Sequence, residues 1–437
     1  MKKTYSGWIL VATLFFVACS TSKQISRLAK NDILKNEAFT SAHTGISIYD
    51  PASQKYWYNY QGDKYFVPAS NTKLPTCYAA MKYLGDSLVG LRYHVVEDSL
   101  FISATADPTF LHPDYSIQRV YELLKTTGKI IILNTSRWQE KRWGSGWAWD
   151  DYNDDYMAER SAMPIYGNTA RFSNKFKTIE VSPPYFSPKV IRDGIQNQDS
   201  TPTSIQREIS SNNFFIKGTD PLPNNIEIPF YTAGDSILVN LLEDTLHKSV
   251  CKNLPPGKRI DNEKEFHSQP TDSLLNLMMY RSDNFFAEQS LLMVSSKILD
   301  VMNDERIIDT LLKSDFKDLP QKPGWVDGSG LSRYNLFTPQ DFVAILNKMK
   351  NEFGMNRIKN ILPTGGAGTL SNYYKAESGY IFAKTGTLSG VIALSGFLYT
   401  RKNRLLIFSV LVNNHHNSST AVRRAIEKFI EGVRDKK

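Results

Sequence analysis

Three short motifs with the residue types of a serine acyl-transfer site follow one another along the chain. They are Ser70-Asn71-Thr72-Lys73, Ser282-Asp283-Asn284 and Lys384-Thr385-Gly386. In that order they offer a nucleophilic hydroxyl, groups that can move its proton, and a cation beside a hydroxyl that can hold a carboxylate. Each motif alone is weak evidence, because the S-x-x-K pattern also begins at Ser20, Ser249 and Ser314. Those three serines have no later partners in order, and we interpret them as tether or solvated surface.

The first motif places a lysine one helical turn after a serine. Apolar side chains recur at helical spacing beyond it, which predicts a helix that begins at Ser70 with Lys73 on the same face. A neutral Lys73 is then the predicted general base for Ser70. The ordinary pKa of a lysine is about 10.4, and burial or a second cation lowers it. Lys384 is the predicted second cation, and this explains why the site needs two lysines.

The second motif supplies the other wall of the predicted cleft. Ser282 is predicted to relay a proton to the leaving amine, and Asn284 is predicted to hydrogen-bond a substrate amide and hold Lys73 in place. The alternative is an ordinary turn between helices, because Ser, Asp and Asn are all helix-capping residues. The order of the three motifs favours the catalytic interpretation.

The third motif is predicted to be a strand that binds the substrate. Lys384 and Thr385 are expected to hold the terminal carboxylate of the substrate. Gly386 leaves the strand without a side chain, so that a substrate backbone can lie beside it. The backbone N–H of Thr387 and an unpaired N–H at the helix start near Ser70 are the predicted oxyanion donors.

The elements that must position these motifs fall into an N-terminal part, a long insert and a C-terminal part. Outside the insert, periodicity predicts helices over residues 25–34, 273–280, 285–295, 339–349 and 419–433, and strands over 44–49, 56–60, 381–387, 391–399 and 405–412. Inside the insert it predicts strands over 100–103, 130–133, 178–181, 214–217 and 236–241. We therefore expect an α/β fold, an α+β sheet with helices on both faces, in which the two ends of the chain meet. The predicted domains are a catalytic domain at 20–90 and 268–437 and a mostly β inserted region at 91–267.

The length, composition and net charge of the chain limit the kinds of protein that it can be. A chain of 437 residues with 41% hydrophobic and 22% charged residues is long enough for two or three globular domains. The net charge of +8 is scattered along the chain, and no Lys/Arg-rich tract is present. We therefore predict no nucleic-acid partner, which would need basic residues concentrated in one place.

The first nineteen residues have the pattern that is typical of an export signal. Lys2 and Lys3 precede an apolar stretch over residues 8–17, and Cys19 follows a small residue. This resembles a bacterial lipoprotein signal at 1–19, with Cys19 lipidated after cleavage. The alternative is an ordinary secretory signal with an incidental cysteine. Either interpretation takes the protein out of the cytoplasm, and the first predicts a periplasm-facing enzyme of the cell envelope that is anchored to a membrane by lipid.

The sequence lacks the motifs that are typical of several other kinds of functional site. The seven histidines are scattered, and no H-E-x-x-H pattern or cysteine cluster is present, so we predict no metal site and no cofactor. A G-x-S-x-G elbow is also missing from the sequence. Cys77 and Cys251 are expected to be two buried thiols in preference to a disulfide.

Longer segments carry a family resemblance. The stretch from Asp327 to Asn335 (DGSGLSRYN), the segment Ala106-Asp107-Pro108-Thr109 and the run from Gly146 to Asp151 are similar to stretches typical of one family. With the three motifs, they make the chain resemble the penicillin-binding protein 4 type of D-alanyl-D-alanine carboxypeptidase, peptidase family S13. The resemblance implies a catalytic domain of the serine β-lactamase and penicillin-binding-protein fold, with two nested subdomains in the insert.

The resemblance also implies a reaction and its partners. Ser70 would attack the bond between the last two D-alanines of a peptidoglycan stem peptide and form an acyl-enzyme, and β-lactam antibiotics would be covalent inhibitors. Related enzymes cut cross-links, so DD-endopeptidase action is implied as well, and a homodimer stays open. The alternatives are a penicillin-binding sensor or scaffold without turnover and a β-lactamase, against which the long insert argues.

Three further residues enter only through the resemblance. Asp151 and Tyr156 match an aspartate and an aromatic residue that contact the side chain of the third stem-peptide residue, and Tyr156 replaces the commoner Phe. Arg333 resembles the arginine of the family that lies near the substrate. Ser389 departs from the family, where relatives can carry a glutamine, and this puts fine substrate preference in doubt.

Overall fold

The computed structural model describes residues 22–175, 178–192, 202–218, 222, 225–232, 234–252, 260 and 262–436. Its helices are α1 (described over 22–34), α2 (Lys73–Tyr83), α3 (Arg119–Thr126), α4 (Gly234–Leu246), α5 (Thr271–Tyr280), α6 (Asn284–Leu299), α7 (Asp304–Lys313), α8 (Pro339–Ile361) and α9 (Ser419–Arg434). Its strands are β1 (His43–Asp50), β2 (Lys55–Tyr60), β3 (Ser87–Val96), β4 (Ser99–Ser103), β5 (Ile130–Asn134), β6 (Thr169–Lys175), β7 (Thr178–Ser182), β8 (Val190–Arg192), β9 (Ser204–Arg207), β10 (Phe214–Lys217), β11 (Ile226–Pro229), β12 (Val250–Lys252), β13 (Lys264–Pro270), β14 (Ile381–Leu388), β15 (Val391–Tyr399) and β16 (Leu405–Asn413).

The chain divides into two units. Unit 1 holds the described residues up to 78 together with 276–282 and 311–436, and unit 2 holds 79–275 and 283–310. The predicted domains draw the boundary elsewhere, since they assign residues 79–90, 268–275 and 283–310 to the catalytic part. The division of the insert into two nested subdomains stays a prediction.

Unit 1 is built on an antiparallel sheet that joins both ends of the chain. Its strand order is β14-β15-β16-β1-β2, so β14 is an edge strand. The N-terminal strand β1 pairs with the C-terminal strand β16 in a register that sets Ile46 opposite Val410. The prediction that the two ends meet in one sheet is confirmed.

Helices cover both faces of this sheet, because side chains alternate between the faces along each strand. On one face, Phe408 and Val410 of β16 share a buried core with Ile426 and Phe429 of α9 and with α1. On the other face, Ser395 of β15 accepts a hydrogen bond from Asn71, which precedes α2, and α8 packs against β16 and β1. This arrangement confirms the predicted sheet with helices on both faces.

Unit 2 contains three sheets. A mixed sheet has the order β12-β5-β4-β3-β13, and two smaller sheets have the orders β11-β6-β7 and β8-β10-β9. Strand β4 pairs parallel to β5 and antiparallel to β3. The predicted strands near residues 100, 130, 178 and 214 are present as β4, β5, β7 and β10.

One predicted strand is wrong. Residues 236–241, expected as a strand, lie inside helix α4 (Gly234–Leu246). The buried apolar residues of this helix are Ile237, Leu238, Leu241, Leu242 and Leu246, which recur at the spacing of one helix face. A short apolar run cannot be assigned to strand or helix by periodicity alone, and here its continuation to Leu246 decides for a helix.

The cysteines differ in part from expectation. Cys77 and Cys251 are both free thiols, and Cys77 is buried on α2 as predicted. Cys251 is exposed, which corrects the prediction of two buried thiols. It lies on β12, an edge strand whose outer flank pairs with no other strand among the described residues.

The N-terminal signal prediction falls outside the described residues, because the description begins at residue 22. Cys19 therefore has no structural account. In the part of the chain that is described, no helix combines the length and the apolar character needed to cross a bilayer.

Candidate active site

Ser70 lies in a tight turn that the C-terminal strands hold in place. The turn is a 3₁₀ helix over Ala69–Thr72 that leads directly into α2. Just before it, the backbone N–H of Val67 donates to the Asn413 side chain at 2.7 Å, and Asn413 donates back to the Val67 carbonyl at 3.0 Å. Ala69 has a φ of 47°, a left-handed value that is uncommon for a residue with a side chain. Ser70 itself is half-buried, so its hydroxyl is both fixed and accessible.

Lys73 is the first residue of α2, and its ammonium nitrogen meets Ser70. Its Nζ donates to Ser70 Oγ at 3.0 Å and to the carbonyl oxygen of Ser329 at 2.8 Å. The side chain is fully buried. A base must lie within hydrogen-bond reach of the proton that it takes, and Lys73 meets this requirement.

The loop from Asp327 to Asn335 holds Lys73 from the other side. The Asp327 carboxylate accepts hydrogen bonds from the backbone N–H of Gly330 at 2.8 Å and of Ser332 at 2.7 Å, and from the Asn335 side chain at 2.8 Å. Gly330 has a φ of 83°, and a Cβ there would lie 1.9 Å from the Ala69 carbonyl oxygen. Glycine is therefore required where this loop meets the turn of Ser70. The segment singled out by family resemblance fixes the backbone around the nucleophile.

Lys384 and Ser282 form a second buried pair. Lys384 Nζ donates to Ser282 Oγ at 2.8 Å and to the Thr385 carbonyl at 2.6 Å. Ser282 has a φ of 63°, so its backbone is held in the left-handed region, and such strain is concentrated at functional sites. Burial, and then the charge of Lys73, lower the pKa of Lys384 well below its usual value. The two lysines therefore resist carrying two positive charges together.

Gly386 brings strand β14 against the nucleophile. A Cβ at this position would lie 2.8 Å from the Pro68 carbonyl oxygen and 3.1 Å from the backbone nitrogen of Ser70. Side chains alternate along a strand, so Lys384 and Gly386 face Ser70, whereas Thr385 and Thr387 face the side of α9. The role of the Thr387 N–H as an oxyanion donor stays a prediction.

A cavity of about 320 Å³ opens beside Ser70. Ser282, Thr385, Gly386 and Thr387 line it together with Ser70. Three motifs that begin at residues 70, 282 and 384 thus contribute to one cavity within unit 1. The hydroxyl of Ser70 and the amines of Lys73 and Lys384 lie in the same unit.

Arg333 is exposed and does not line this cavity. Its guanidinium donates to the carbonyl oxygen of Ser389 at 3.1 Å. The contact ties the Asp327–Asn335 loop to the turn after β14. A substrate contact by Arg333 stays a prediction.

Asn284, Asp151 and Tyr156 belong to unit 2, where they lie together. Asn284 begins α6, and its side chain donates to the Tyr156 carbonyl at 3.0 Å. Burial, followed by the neighbouring carboxylates of Asp151 and Asp154, raises the pKa of the Tyr156 hydroxyl. The predicted role of Asn284 in holding Lys73 stays a prediction.

The described residues contain no group of three or more His, Cys, Asp or Glu side chains arranged to hold a metal ion.

The match to known proteins spans nearly the whole chain. Residues 27–436 match the D-Ala-D-Ala carboxypeptidase 3 (S13) family. The chain belongs to this family. It is a serine-type carboxypeptidase of the penicillin-binding protein 4 type, so the resemblance of its motifs is confirmed.

Two S13 relatives show how low the sequence identity within the family is. The D-alanyl-D-alanine carboxypeptidase of Actinomadura sp. (strain R39) is 25% identical over 446 residues, which cover 90% of this chain and 82% of that protein. The D-alanyl-D-alanine carboxypeptidase DacB of Haemophilus influenzae is 23% identical over 404 residues, which cover 82% of each chain.

Solved structures show the shared fold. The crystal structure of penicillin binding protein 4 from Haemophilus influenzae matches with a TM-score of 0.72 at 22% identity, over 94% of this chain and 98% of that one. A predatory peptidoglycan endopeptidase from Bdellovibrio bacteriovorus matches with a TM-score of 0.51 at 13% identity, over 90% of this chain and 93% of that one. The predicted penicillin-binding-protein fold is confirmed.

Sequence reasoning missed two contributors to this S13 site. Asp327 was noticed only as part of a family-typical segment, and its three hydrogen bonds to the loop were not foreseen. Arg423 was not singled out at all, yet it lines the cavity from α9 and donates to Thr387 Oγ1 at 2.8 Å. An arginine on the buried side of an amphipathic helix was the one signal available for it.

Proposed function

We propose that this S13 carboxypeptidase uses Ser70 as its nucleophile on peptidoglycan stem peptides that end in D-Ala-D-Ala. Ser70 Oγ attacks the carbonyl carbon between the last two residues, and the hydroxyl proton passes to Lys73. The C–N bond then breaks, and D-alanine leaves with a proton relayed through Ser282. Water next cleaves the ester, which releases the shortened peptide and restores the hydroxyl of Ser70. The observation that carries this proposal is the 3.0 Å contact between Lys73 Nζ and Ser70 Oγ.

The second lysine supports the proposed base. Two buried amines in one site favour a state with a single positive charge, since the pKa of Lys384 is lowered by burial and by Lys73. In that state one amine is neutral and can accept a proton, while the other keeps a charge that attracts the carboxylate of the substrate. The two amines titrate as a coupled pair, so each pKa is a property of the pair and not of one lysine.

The same attack predicts inhibition by β-lactams. Ser70 would open the four-membered ring, and the cleaved amine would stay attached to the acyl group. A leaving group that cannot diffuse away keeps water from the ester, so the acyl-enzyme persists. Penicillin sensitivity is therefore part of the proposal.

DD-endopeptidase action belongs to the proposal as well. A cross-link between stem peptides presents the same acyl group, and only the amine that leaves is larger. Asp151, Tyr156 and Arg333 are the proposed contacts to the remainder of the stem peptide, with Asp151 and Tyr156 directed at the side chain of its third residue. The test is incubation of the purified protein with a cross-linked muropeptide dimer. If the dimer stays intact, the proposed endopeptidase activity is contradicted.

Release of D-alanine tests the function directly. The purified protein is expected to free D-alanine from an acetylated L-Lys-D-Ala-D-Ala peptide, and Ser70→Ala is expected to lower kcat/KM by about 10³-fold or more. Acylation by penicillin without any D-alanine release would favour a sensor or scaffold. Fast turnover of a chromogenic cephalosporin would favour a β-lactamase.

We further propose that the protein works in the cell envelope, facing the periplasm, on a lipid anchor at Cys19. Peptidoglycan lies outside the cytoplasm, and Cys19 follows an apolar stretch of export-signal length. Incorporation of labelled palmitate that Cys19→Ser abolishes is the expected result, and equal labelling of the two proteins would contradict the anchor.

A further inference from the structure

The described part of unit 1 begins very close to the proposed lipid anchor. Ser22 is its first residue, and only positions 20 and 21 separate it from Cys19 in the sequence. An extended chain spans at most about 3.6 Å per residue, so Ser22 lies no more than about 11 Å from Cys19. When Cys19 carries lipid, the part of unit 1 around Ser22 therefore lies against the headgroups of the membrane. This short connection decides which end of unit 1 meets the bilayer.

Contacts of Ser22 show which elements form that end. Its hydroxyl donates to the carbonyl oxygen of Trp57 at 2.8 Å, and Trp57 lies on β2, an edge strand of the sheet. The guanidinium of Arg404 lies 5.2 Å from the centre of the Trp57 ring. Arg404 also donates to the buried carboxylate of Asp50, the last residue of β1. The start of α1, the β1–β2 turn and the β15–β16 turn thus lie together at one end of unit 1.

This end carries an excess of positive charge. Four exposed basic side chains belong to it, and we call them the basic end: Lys23, Lys55, Lys402 and Arg404. Lys23 follows Ser22 directly, and Lys55 lies opposite Asp50 in the register of β1 and β2. Asp50 offsets one of the four charges through its bond to Arg404. The basic end therefore complements a surface that is rich in phosphate.

Ser70 lies at the opposite end of the sheet. Val67, three residues before Ser70, exchanges two hydrogen bonds with Asn413, the last residue of β16. Arg404 directly precedes the first residue of the same strand. A strand rises about 3.3 Å per residue, so the ends of the nine-residue strand β16 are roughly 26 Å apart. A membrane at the basic end leaves Ser70 on the side of unit 1 that faces away from lipid.

We propose that the basic end docks on the headgroups of an anionic bilayer, with its four cations meeting lipid phosphates and Trp57 lying at the level of the interface. The inference rests on the proposed lipid anchor and goes beyond it, because it states which face of the enzyme the membrane covers. The short connection to Cys19 holds the four charges within about one Debye length of the headgroups, roughly 8 Å at physiological salt, so each of them is attracted. A half-buried tryptophan suits this depth because its ring is amphipathic.

The test measures how fast individual lysines of the lipidated wild-type protein react with an acetylating ester on two kinds of vesicle. One kind is phosphatidylcholine alone, and the other also contains phosphatidylglycerol. Lys55 and Lys402 are expected to react about fivefold or more slowly on the anionic vesicles. High salt is expected to remove this protection, because it screens the attraction. Lys317 and Lys322, which are exposed elsewhere on unit 1, are the controls and are expected to react equally on both. Equal rates on both vesicles for Lys55 and Lys402 would overturn the inference.

A second arm tests the charges without the lipid. In the full chain with Cys19→Ser, the pair Lys55→Glu with Lys402→Glu is compared with the pair Lys317→Glu with Lys322→Glu, and each pair lowers the net charge by four. Binding to phosphatidylglycerol vesicles is expected to weaken about 25-fold or more in the first pair, since each charge lost costs about fivefold. The control pair is expected to weaken it by less than about threefold, and both pairs keep D-alanine release. Equal weakening in both pairs would show that only net charge matters and would overturn the inference.

The remaining outcomes separate this inference from the proposals beneath it. Peptidoglycan also carries carboxylates, so binding to purified cell walls is measured with the same two pairs. Cell-wall binding that only the pair at positions 55 and 402 abolishes, with vesicle binding unchanged, would assign the basic end to peptidoglycan and overturn the inference. Protein that incorporates no labelled palmitate would overturn the anchor and this inference together. Palmitate-labelled protein whose lysines react equally on both vesicles would overturn only the inference.

Discussion

Replacement of Lys73 by alanine is expected to lower kcat/KM for D-alanine release by about 10³–10⁴-fold, the upper range for loss of a general base. The reason is geometric, since Lys73 Nζ lies 3.0 Å from Ser70 Oγ within the described site. The same variant is expected to lose rapid acylation by penicillin, because both reactions begin with deprotonation of Ser70. Steady-state release of D-alanine and the rate of penicillin adduct formation are the measurements.

A second substitution separates chemistry from structure at this position. Lys73→Arg keeps a positive charge and a donor for the Ser329 carbonyl, but a guanidinium does not deprotonate. It is expected to be as inactive as Lys73→Ala while it keeps a near-native melting temperature. Lys82→Ala, at an exposed position in the last turn of α2, serves as the control and is expected to leave activity unchanged. Near-native activity in Lys73→Arg would contradict the role of a base.

The lysine pair is expected to set the acid side of the pH profile. Burial and the charge of Lys73 lower the pKa of Lys384 well below its usual value, so the doubly protonated pair loses its first proton below the ordinary lysine range. Activity needs one neutral amine, so kcat/KM is expected to rise with pH through that lowered value and to fall as pH drops through it. The profile of kcat/KM against pH for the free enzyme is the measurement.

Lys384→Met removes the second amine of the pair and tests whether it lowers the pKa that sets the acid limb. Without the second cation, the remaining amine has no like charge beside it, so the acid limb of the profile is expected to move to higher pH. The loss of a charged group near the developing oxyanion and the carboxylate of the substrate is expected to lower kcat/KM by about 10²–10³-fold at neutral pH. Lys402→Ala, a change at an exposed position in the turn between β15 and β16, serves as the control. An unmoved acid limb in Lys384→Met would show that the two amines are not coupled.

The frame of unit 1 was predictable because its patterns are long and unambiguous. Strands β15 and β16 are mostly apolar runs bounded by turn residues, and α9 alternates buried and exposed residues at helical spacing. The three-residue step from Ser70 to Lys73 also sufficed, since the start of a helix brings these side chains onto one face.

The features of the site and fold that were not predicted depend on tertiary packing, which cannot be inferred from one sequence. The contact between Arg423 and Thr387 joins residues 36 positions apart in the chain, and it follows from how α9 lies on the sheet. The left-handed backbone of Ser282 is imposed by its surroundings, because local preference disfavours it. Residues 236–241 were assigned wrongly for a related reason, since a short buried run carries no period of its own.

The mass of the protein after brief exposure to benzylpenicillin tests the central claim most directly. The account predicts a gain of one penicillin, mapped by digestion to the peptide that contains Ser70, and no gain in Ser70→Ala. An adduct on any other peptide, or an adduct that persists when the Ser70 hydroxyl is removed, would contradict the assignment of Ser70 as the acylated residue.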